Sequence, residues 1–180
     1  MSMSTEEITA VGSTTFFSKM RGGGVVPARA PWGQIWLAWL GGCLAIAVVA
    51  YLATTSNAPL VLGSFGATCV LVFGFPDSPF SQPRNVILGH FLSSLVGLCV
   101  LMFLGNEWWC VALAVGTAIA VMQITRTVHP PAGSNPVIVM LTAPGWQFLL
   151  TPTLIGAVLL VIVAILFNNL AKERSYPKYW

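Results

Sequence analysis

Two short stretches hold most of the chemistry in this chain. The first is Arg126-Thr127-Val128-His129-Pro130-Pro131-Ala132-Gly133-Ser134-Asn135-Pro136. The second is Ser64-Phe65-Gly66-Ala67-Thr68. Each interrupts apolar sequence with glycine and small polar residues, and the first adds a cation and an imidazole. Its prolines cannot continue a helix, because each lacks an N–H and pushes the preceding residue out of the α region. Broken helix with polar side chains, set in apolar sequence, is expected to be buried in protein or to line a cavity at membrane depth. A helix restarting after such a break presents unpaired N–H groups and about half a positive charge. Two restarts are expected, one around Gly66-Ala67-Thr68 and one around Ala132-Gly133-Ser134-Asn135. Facing each other, they would bind a small anion. Gly66 and Gly133 would let a ligand approach the backbone. Ser64, Thr68, Ser134 and Asn135 would add donors. His129 would coordinate the anion or carry a coupled proton. The competing reading is that these residues only cap and pack buried helices, with His129 bonding backbone groups freed by the prolines.

Three further groups could act with them. His90 lies inside an apolar run, where an ionisable residue is a functional candidate, although a structural hydrogen bond between helices would also place it there. Arg84 and Arg126 could draw anions into a vestibule, and they could equally be plain topology signals. Together the three are candidates for gating or proton coupling. Asp77 and Glu107 read as solvated loop charges. No Ser/His/Asp arrangement, carboxylate pair, phosphate-binding glycine loop or metal cluster is present in the sequence. No catalytic residue, cofactor or metal is expected, and no enzyme activity. An intramembrane enzyme using His90 and His129, or a non-transporting assembly or sensory protein, are the alternatives.

The elements around these residues are read from composition. Charged residues make up 7% of the chain and hydrophobic ones 56%, with mean hydropathy +0.82. Soluble domains carry about 25% charged residues, so this is an integral membrane protein with no nucleic-acid signal. Cys43, Cys69, Cys99 and Cys110 fall in apolar runs without ligand spacing and read as small hydrophobes. Residues 1–31 read as a flexible cytoplasmic tail, with Phe16, Phe17 and Met20 able to form an interfacial turn. A transmembrane domain follows over 32–170. Its expected segments are a span at 32–54, an extended approach with a half-helix at 59–75, spans at 84–104 and 108–125, a short apolar stretch at 137–142, and a span at 152–170. Residues 171–180 form a basic tail. The expected membrane is a bacterial inner (plasma) membrane.

A shift of 67 residues superposes Gly66 on Gly133, Thr68 on Asn135, Val70 on Val137 and Gly89 on Gly156. The pattern long span, short broken span, long span then occurs twice, over about 32–104 and 108–170. With six crossings, every Lys and Arg falls on one side and Glu107 on the other, as the positive-inside rule asks. Both termini would be cytoplasmic. The expected fold is all-α, with six membrane segments in two inverted three-segment repeats, each containing a broken half-helix. That is a transporter architecture with its site near the midplane. Small residues on the first and third spans also suit contact between copies in a homo-oligomer.

The residues His129-Pro130-Pro131-Ala132-Gly133, Gly66-Ala67-Thr68 and Gln82-Pro83-Arg84-Asn85, leading to Gly89-His90, resemble the HPP family of small integral membrane proteins. The resemblance covers about residues 30–170. The family pattern often has Ala after the glycine of its motif, where this chain has Ser134-Asn135-Pro136. The resemblance implies membrane transport, with nitrite the substrate associated with chloroplast and cyanobacterial members. The partners expected are therefore the lipid bilayer and a small inorganic anion.

Overall fold

A computed structural model describes residues 15–180, so the expected tail lies outside the described residues over positions 1–14. The chain divides into two units, residues 1–30 and 31–180. In the first, α1 (Phe16–Lys19) is a single exposed turn, N-capped by the Thr15 side chain.

The second unit holds α2 (Trp32–Ser56), α3 (Ser64–Gly74), α4 (Pro83–Leu104), α5 (Trp108–Ile124), α6 (Asn135–Thr142) and α7 (Ile155–Leu170). Helical turns at Pro79–Ser81, Pro130–Ser134 and Trp146–Leu154 join them. No strand occurs among the described residues. Three helical stretches are long and apolar enough to cross a membrane: Trp32–Ser56, Pro83–Leu104 and Trp146–Leu170. Trp36, Trp39, Phe103, Trp108, Leu141 and Leu166 lie exposed on the outside, as a surface facing lipid requires.

Local sequence explains where the helices break. Asn57 closes α2 with a left-handed φ of 51°, a conformation that asparagine tolerates. Regular helix resumes at Ser64, three residues before the expected Ala67, because Gly63 is already helical and Phe65 N–H bonds Leu62 O. Pro83 occupies the first turn of α4, where its missing N–H is no loss. After α5 the backbone turns through Arg126 at φ 57°. Pro130 and Pro131 hold a tight helical turn, and α6 begins at Asn135 with Pro136 in its first turn. That start falls within the expected restart at Ala132-Gly133-Ser134-Asn135. The last helix differs from expectation: Thr151, at φ −128° and ψ 122°, breaks it, and α7 is regular only from Ile155.

Close packing depends on glycine at two related places. A Cβ on Gly89 of α4 would lie 3.0 Å from Thr127 O and 2.7 Å from His129 Cβ. A Cβ on Gly156 of α7 would lie 2.8 Å from Leu60 O. The offset of 67 residues that separates 89 from 156 also separates 60 from 127. Helix α4 thus packs on the segment at residues 127–129, and α7 on the segment at Leu60. The ends of the short helices are paired in the same way. Asn106, just after α4, donates to Met140 O of α6 at 2.7 Å. Arg174, just after α7, donates to Phe73 O of α3 at 3.0 Å. The two short helices therefore end beside different turns of the chain.

Residues 174–180 lie across the α3–α4 connection. The Tyr176 hydroxyl donates to Ser81 O at 2.7 Å, Lys178 N–H donates to Gln82 Oε1 at 2.7 Å, and Lys178 pairs with Asp77 at 3.0 Å. Burial holds the Tyr176 phenol above its ordinary range. Burial lowers the Arg174 guanidinium, and Asp77 acts in the opposite sense.

Candidate functional site: a buried polar network between two short helices

The first residues of α3 and α6 meet. The Ser64 hydroxyl donates to Asn135 Oδ1 at 2.8 Å. Around this contact sit Thr68 of α3, His90 and Ser94 of α4, His129 of the broken segment, and Thr153 before α7. All seven side chains are buried. The phase of each helix explains the selection. On α3, positions 64, 65, 68, 69 and 72 face inward, one and two turns apart. On α4, His90, Ser93, Ser94 and Gly97 share the inner face at spacings of three and four.

The hydrogen bonds run in one direction. His129 Nδ1 lies 2.7 Å from the Phe80 carbonyl oxygen, which can only accept, so Nδ1 bears the proton. In neutral His129 the bare Nε2, 2.9 Å from Thr68 Oγ1, then accepts from Thr68. Asn135 is oriented by the Ser64 hydroxyl on its oxygen and by the His90 carbonyl, 3.2 Å from its Nδ2. That Nδ2 also lies 3.0 Å from His90 Nδ1, which must accept. The His90 proton is therefore on Nε2 and is donated to Thr68 Oγ1 at 2.9 Å. Asn135 Nδ2 also donates to Ser94 Oγ at 2.9 Å, and Ser94 lies 3.2 Å from Thr153 Oγ1. One neutral assignment of the two imidazoles fits these contacts, with the two Asn135 amide hydrogens shared among His90 O, His90 Nδ1 and Ser94 Oγ. Among the described residues, no buried side-chain nitrogen or oxygen lacks a partner.

Each candidate from the sequence has a definite place. Ser64, Thr68, His90, His129 and Asn135 come together. Ala132 is buried beside them, and its carbonyl accepts from Ser93 at 2.6 Å. Gly66 and Ala67 lie on the exposed side of α3, and Ser134 is exposed with its hydroxyl on Pro131 O. Gly133 is half-buried, and a Cβ on it or on Gly66 would meet nothing within 4 Å. Arg84 caps the end of α5 by donating to Thr125 O at 3.0 Å. Arg126 is exposed at the same connection. No group of three or more His, Cys, Asp or Glu suited to a metal occurs among the described residues.

Sequence reasoning missed four contributors. Ser94 had a signal, since it lies one turn beyond His90 in an apolar helix. Asn85, whose Nδ2 donates to Val128 O at 2.9 Å, also had one, lying one turn before Gly89 on the same face of α4, whereas Thr153 lies in an irregular turn without a period. Phe80 acts through its backbone carbonyl, which side-chain chemistry cannot reveal.

The match to known proteins follows the same residues. The family model described as "HPP, transmembrane region" matches residues 27–177, which include every member of the network. The chain belongs to the HPP transmembrane family. It is 40% identical to a transmembrane protein of Dictyostelium discoideum over 157 residues, covering 82% of this chain and 55% of that protein. A second transmembrane protein of the same organism is 36% identical over 178 residues, covering 92% of this chain and 57% of the relative. The chain thus spans little more than half the length of these curated relatives. No solved structure matches. These HPP relatives are amoebal, so the likeness does not single out a bacterial membrane.

Proposed function

We propose that this HPP protein carries a small inorganic monoanion across the membrane, with nitrite the first candidate. The observation that carries the reading is the hydrogen bond between Ser64 and Asn135, the opening residues of two short helices. Their N-terminal dipole ends converge inside an apolar shell, where hydroxyl, amide and imidazole groups surround them. Neither Lys nor Arg lies between residues 67 and 75 or between residues 129 and 167. An anion held there depends on backbone N–H groups and neutral donors, an arrangement that binds a monoanion without a permanently buried cation.

The same reading makes the domain two inverted halves with six crossings. The exchange of glycine contacts between the halves supports it, as does the capping of each short helix by the residue following a long helix of the other half. Arg84, Arg126, Lys172, Arg174 and Lys178 then share the cytoplasmic end of a plasma membrane, and Glu107 lies outside. The substrate-binding set is Ser64, Thr68, His129, Ala132 and Asn135. Gly66, Ala67, Gly133 and Ser134 belong to the outer wall of the two helix starts. Arg84 and Arg126 form the inner vestibule. No catalytic role is assigned to any residue.

One observation favours a rival reading, a non-transporting assembly or sensory protein. The network is complete without a ligand, as structural polar contacts between membrane helices would be. Uptake by purified protein in liposomes decides between them. Nitrite, nitrate, formate and chloride are offered with and without a pH gradient. Saturable uptake of a monoanion above protein-free vesicles is the expected result. No uptake of any of the four, with protein shown to be folded and inserted, rejects transport of these ions.

A further inference from the structure

Thr68 stands between two imidazoles and has a second place to send its proton. Its Oγ1 lies 2.9 Å from both His90 Nε2 and His129 Nε2, and 3.2 Å from the backbone carbonyl of Ser64. In the neutral network it accepts from His90 and donates to His129. Turning its O–H onto Ser64 O would free both oxygen lone pairs for the two rings.

We propose that His129 Nε2 is a proton-binding site switched by the Thr68 hydroxyl, and that the bound proton is the coupling ion of anion transport. A proton from water adds to the Nε2 lone pair, and His129 becomes an imidazolium. The new N–H donates to Thr68 Oγ1, whose own O–H rotates to Ser64 O. Nδ1 keeps its proton on Phe80 O. The network gains one positive charge, and every donor still has an acceptor. His90 cannot take the proton instead. Its Nε2 is already protonated, and the Asn135 amide donates to its Nδ1. A second proton would set two like charges on rings whose centres are 5.0 Å apart.

The groups facing His129 are Thr68 on α3, His90 and Gly89 on α4, and the Phe80 carbonyl on the Pro79–Ser81 turn. On the α5 side, Met122 approaches Gly89. His90 is the one titratable group among them, and none bears a fixed charge. The single added charge is therefore free to pair with a monoanion at the adjacent Ser64–Asn135 contact. A proton and a monoanion together cross an apolar barrier as a neutral pair, which costs far less than either ion alone. The coupling role rests on the anion-transport reading. The proton site does not.

Nitrogen-15 NMR of histidine-labelled protein in lipid nanodiscs tests it, because the chain has two histidines and so four ring nitrogens to follow. Near neutral pH, His129 should be the Nδ1–H tautomer and His90 the Nε2–H tautomer. Acidification should add one proton per chain, at His129 Nε2. Thr68→Ser should titrate as the wild type does. Thr68→Val should keep both tautomers, which Phe80 O and the Asn135 amide hold, and should lower the His129 midpoint by removing the acceptor of the new N–H. Two protons taken up independently, no uptake between pH 8 and pH 4, or the opposite tautomers in the wild type would overturn the proposal. So would Thr68→Val titrating as the wild type does. Saturating nitrite should raise the His129 midpoint. A midpoint indifferent to all four anions, with the single-proton titration intact, supports the proton site and counts against anion carriage.

Discussion

Ser64 and Asn135 are joined by a hydrogen bond of 2.8 Å although 71 residues separate them. Each begins a short α-helix, and each follows a segment without regular α-helix. This contact ties the two broken segments together, and the His90–Thr68–His129 chain stands directly on it.

Packing against the broken segment makes Gly89 intolerant of substitution. An added Cβ would press on His129 Cβ and Thr127 O, and the backbone oxygen cannot move aside cheaply. Gly89→Ala is expected to destabilise the detergent-solubilised protein by about 1–3 kcal/mol, the usual range for overpacking. Gly66→Ala, with open space at its Cβ, should be neutral or stabilising by roughly 0.5–1 kcal/mol through helix propensity. Thermal unfolding of the two variants side by side measures the difference. Equal midpoints would contradict the described contact.

The six-crossing arrangement predicts opposite labelling of two exposed loop carboxylates. In a variant lacking the four native cysteines, Glu107→Cys should react with an impermeant maleimide added outside the cell. Asp77→Cys should react only after permeabilisation. External labelling of position 77 would require the short helices to be re-entrant and leave four crossings.

The strap formed by residues 174–180 should loosen at alkaline pH. The Tyr176 phenol is held above its ordinary value of 10.0 by burial. Above about pH 10 the unfolded chain has lost this proton while the folded chain retains it, so stability falls as pH rises. The wild type should lose more stability between pH 8 and pH 11 than Tyr176→Phe does, with a limiting slope of about 1.4 kcal/mol per pH unit for one proton. Parallel thermal-unfolding curves for the two proteins across this range would show that Tyr176 does not contribute.

Much of this architecture is legible in the sequence because apolar chains advertise their interruptions. The proline-rich break at 130–136, the second break before residue 64 and the spans between them follow from composition and backbone chemistry. The 67-residue offset is weak as sequence identity, but it pairs Gly89 with Gly156 at equivalent contacts. The side of α3 that faces inward was harder to read. Starting the helix at Ala67 makes Gly66 the natural ligand contact. Starting it at Ser64 turns Ser64, Phe65 and Thr68 inward and leaves Gly66 and Ala67 outside. A helix advances about 100° per residue, so its starting point alone does not settle which side faces the core; tertiary packing does. The Phe80 carbonyl and the carbonyls of Ser81 and Phe73 that receive the strap's Tyr176 and Arg174 were not legible, because backbone acceptors carry no side-chain signature.

The central claim is that a monoanion is carried through the contact between the two short helices. Its most direct test is nitrite uptake into liposomes by wild type, Asn135→Ala and Arg84→Gln, each verified as folded and monodisperse. Asn135→Ala removes the oxygen that receives Ser64 and the amide that holds His90, whereas Arg84→Gln removes a cap at the end of α5 and a vestibule charge that bears on anion capture and not on saturated uptake. Wild type should show saturable uptake, Asn135→Ala should lose at least about tenfold, the loss of one transition-state interaction of roughly 1.4 kcal/mol, and Arg84→Gln should stay near the wild type. Uptake by Asn135→Ala equal to that of the wild type, or wild-type uptake no greater than that of empty vesicles, would contradict the account.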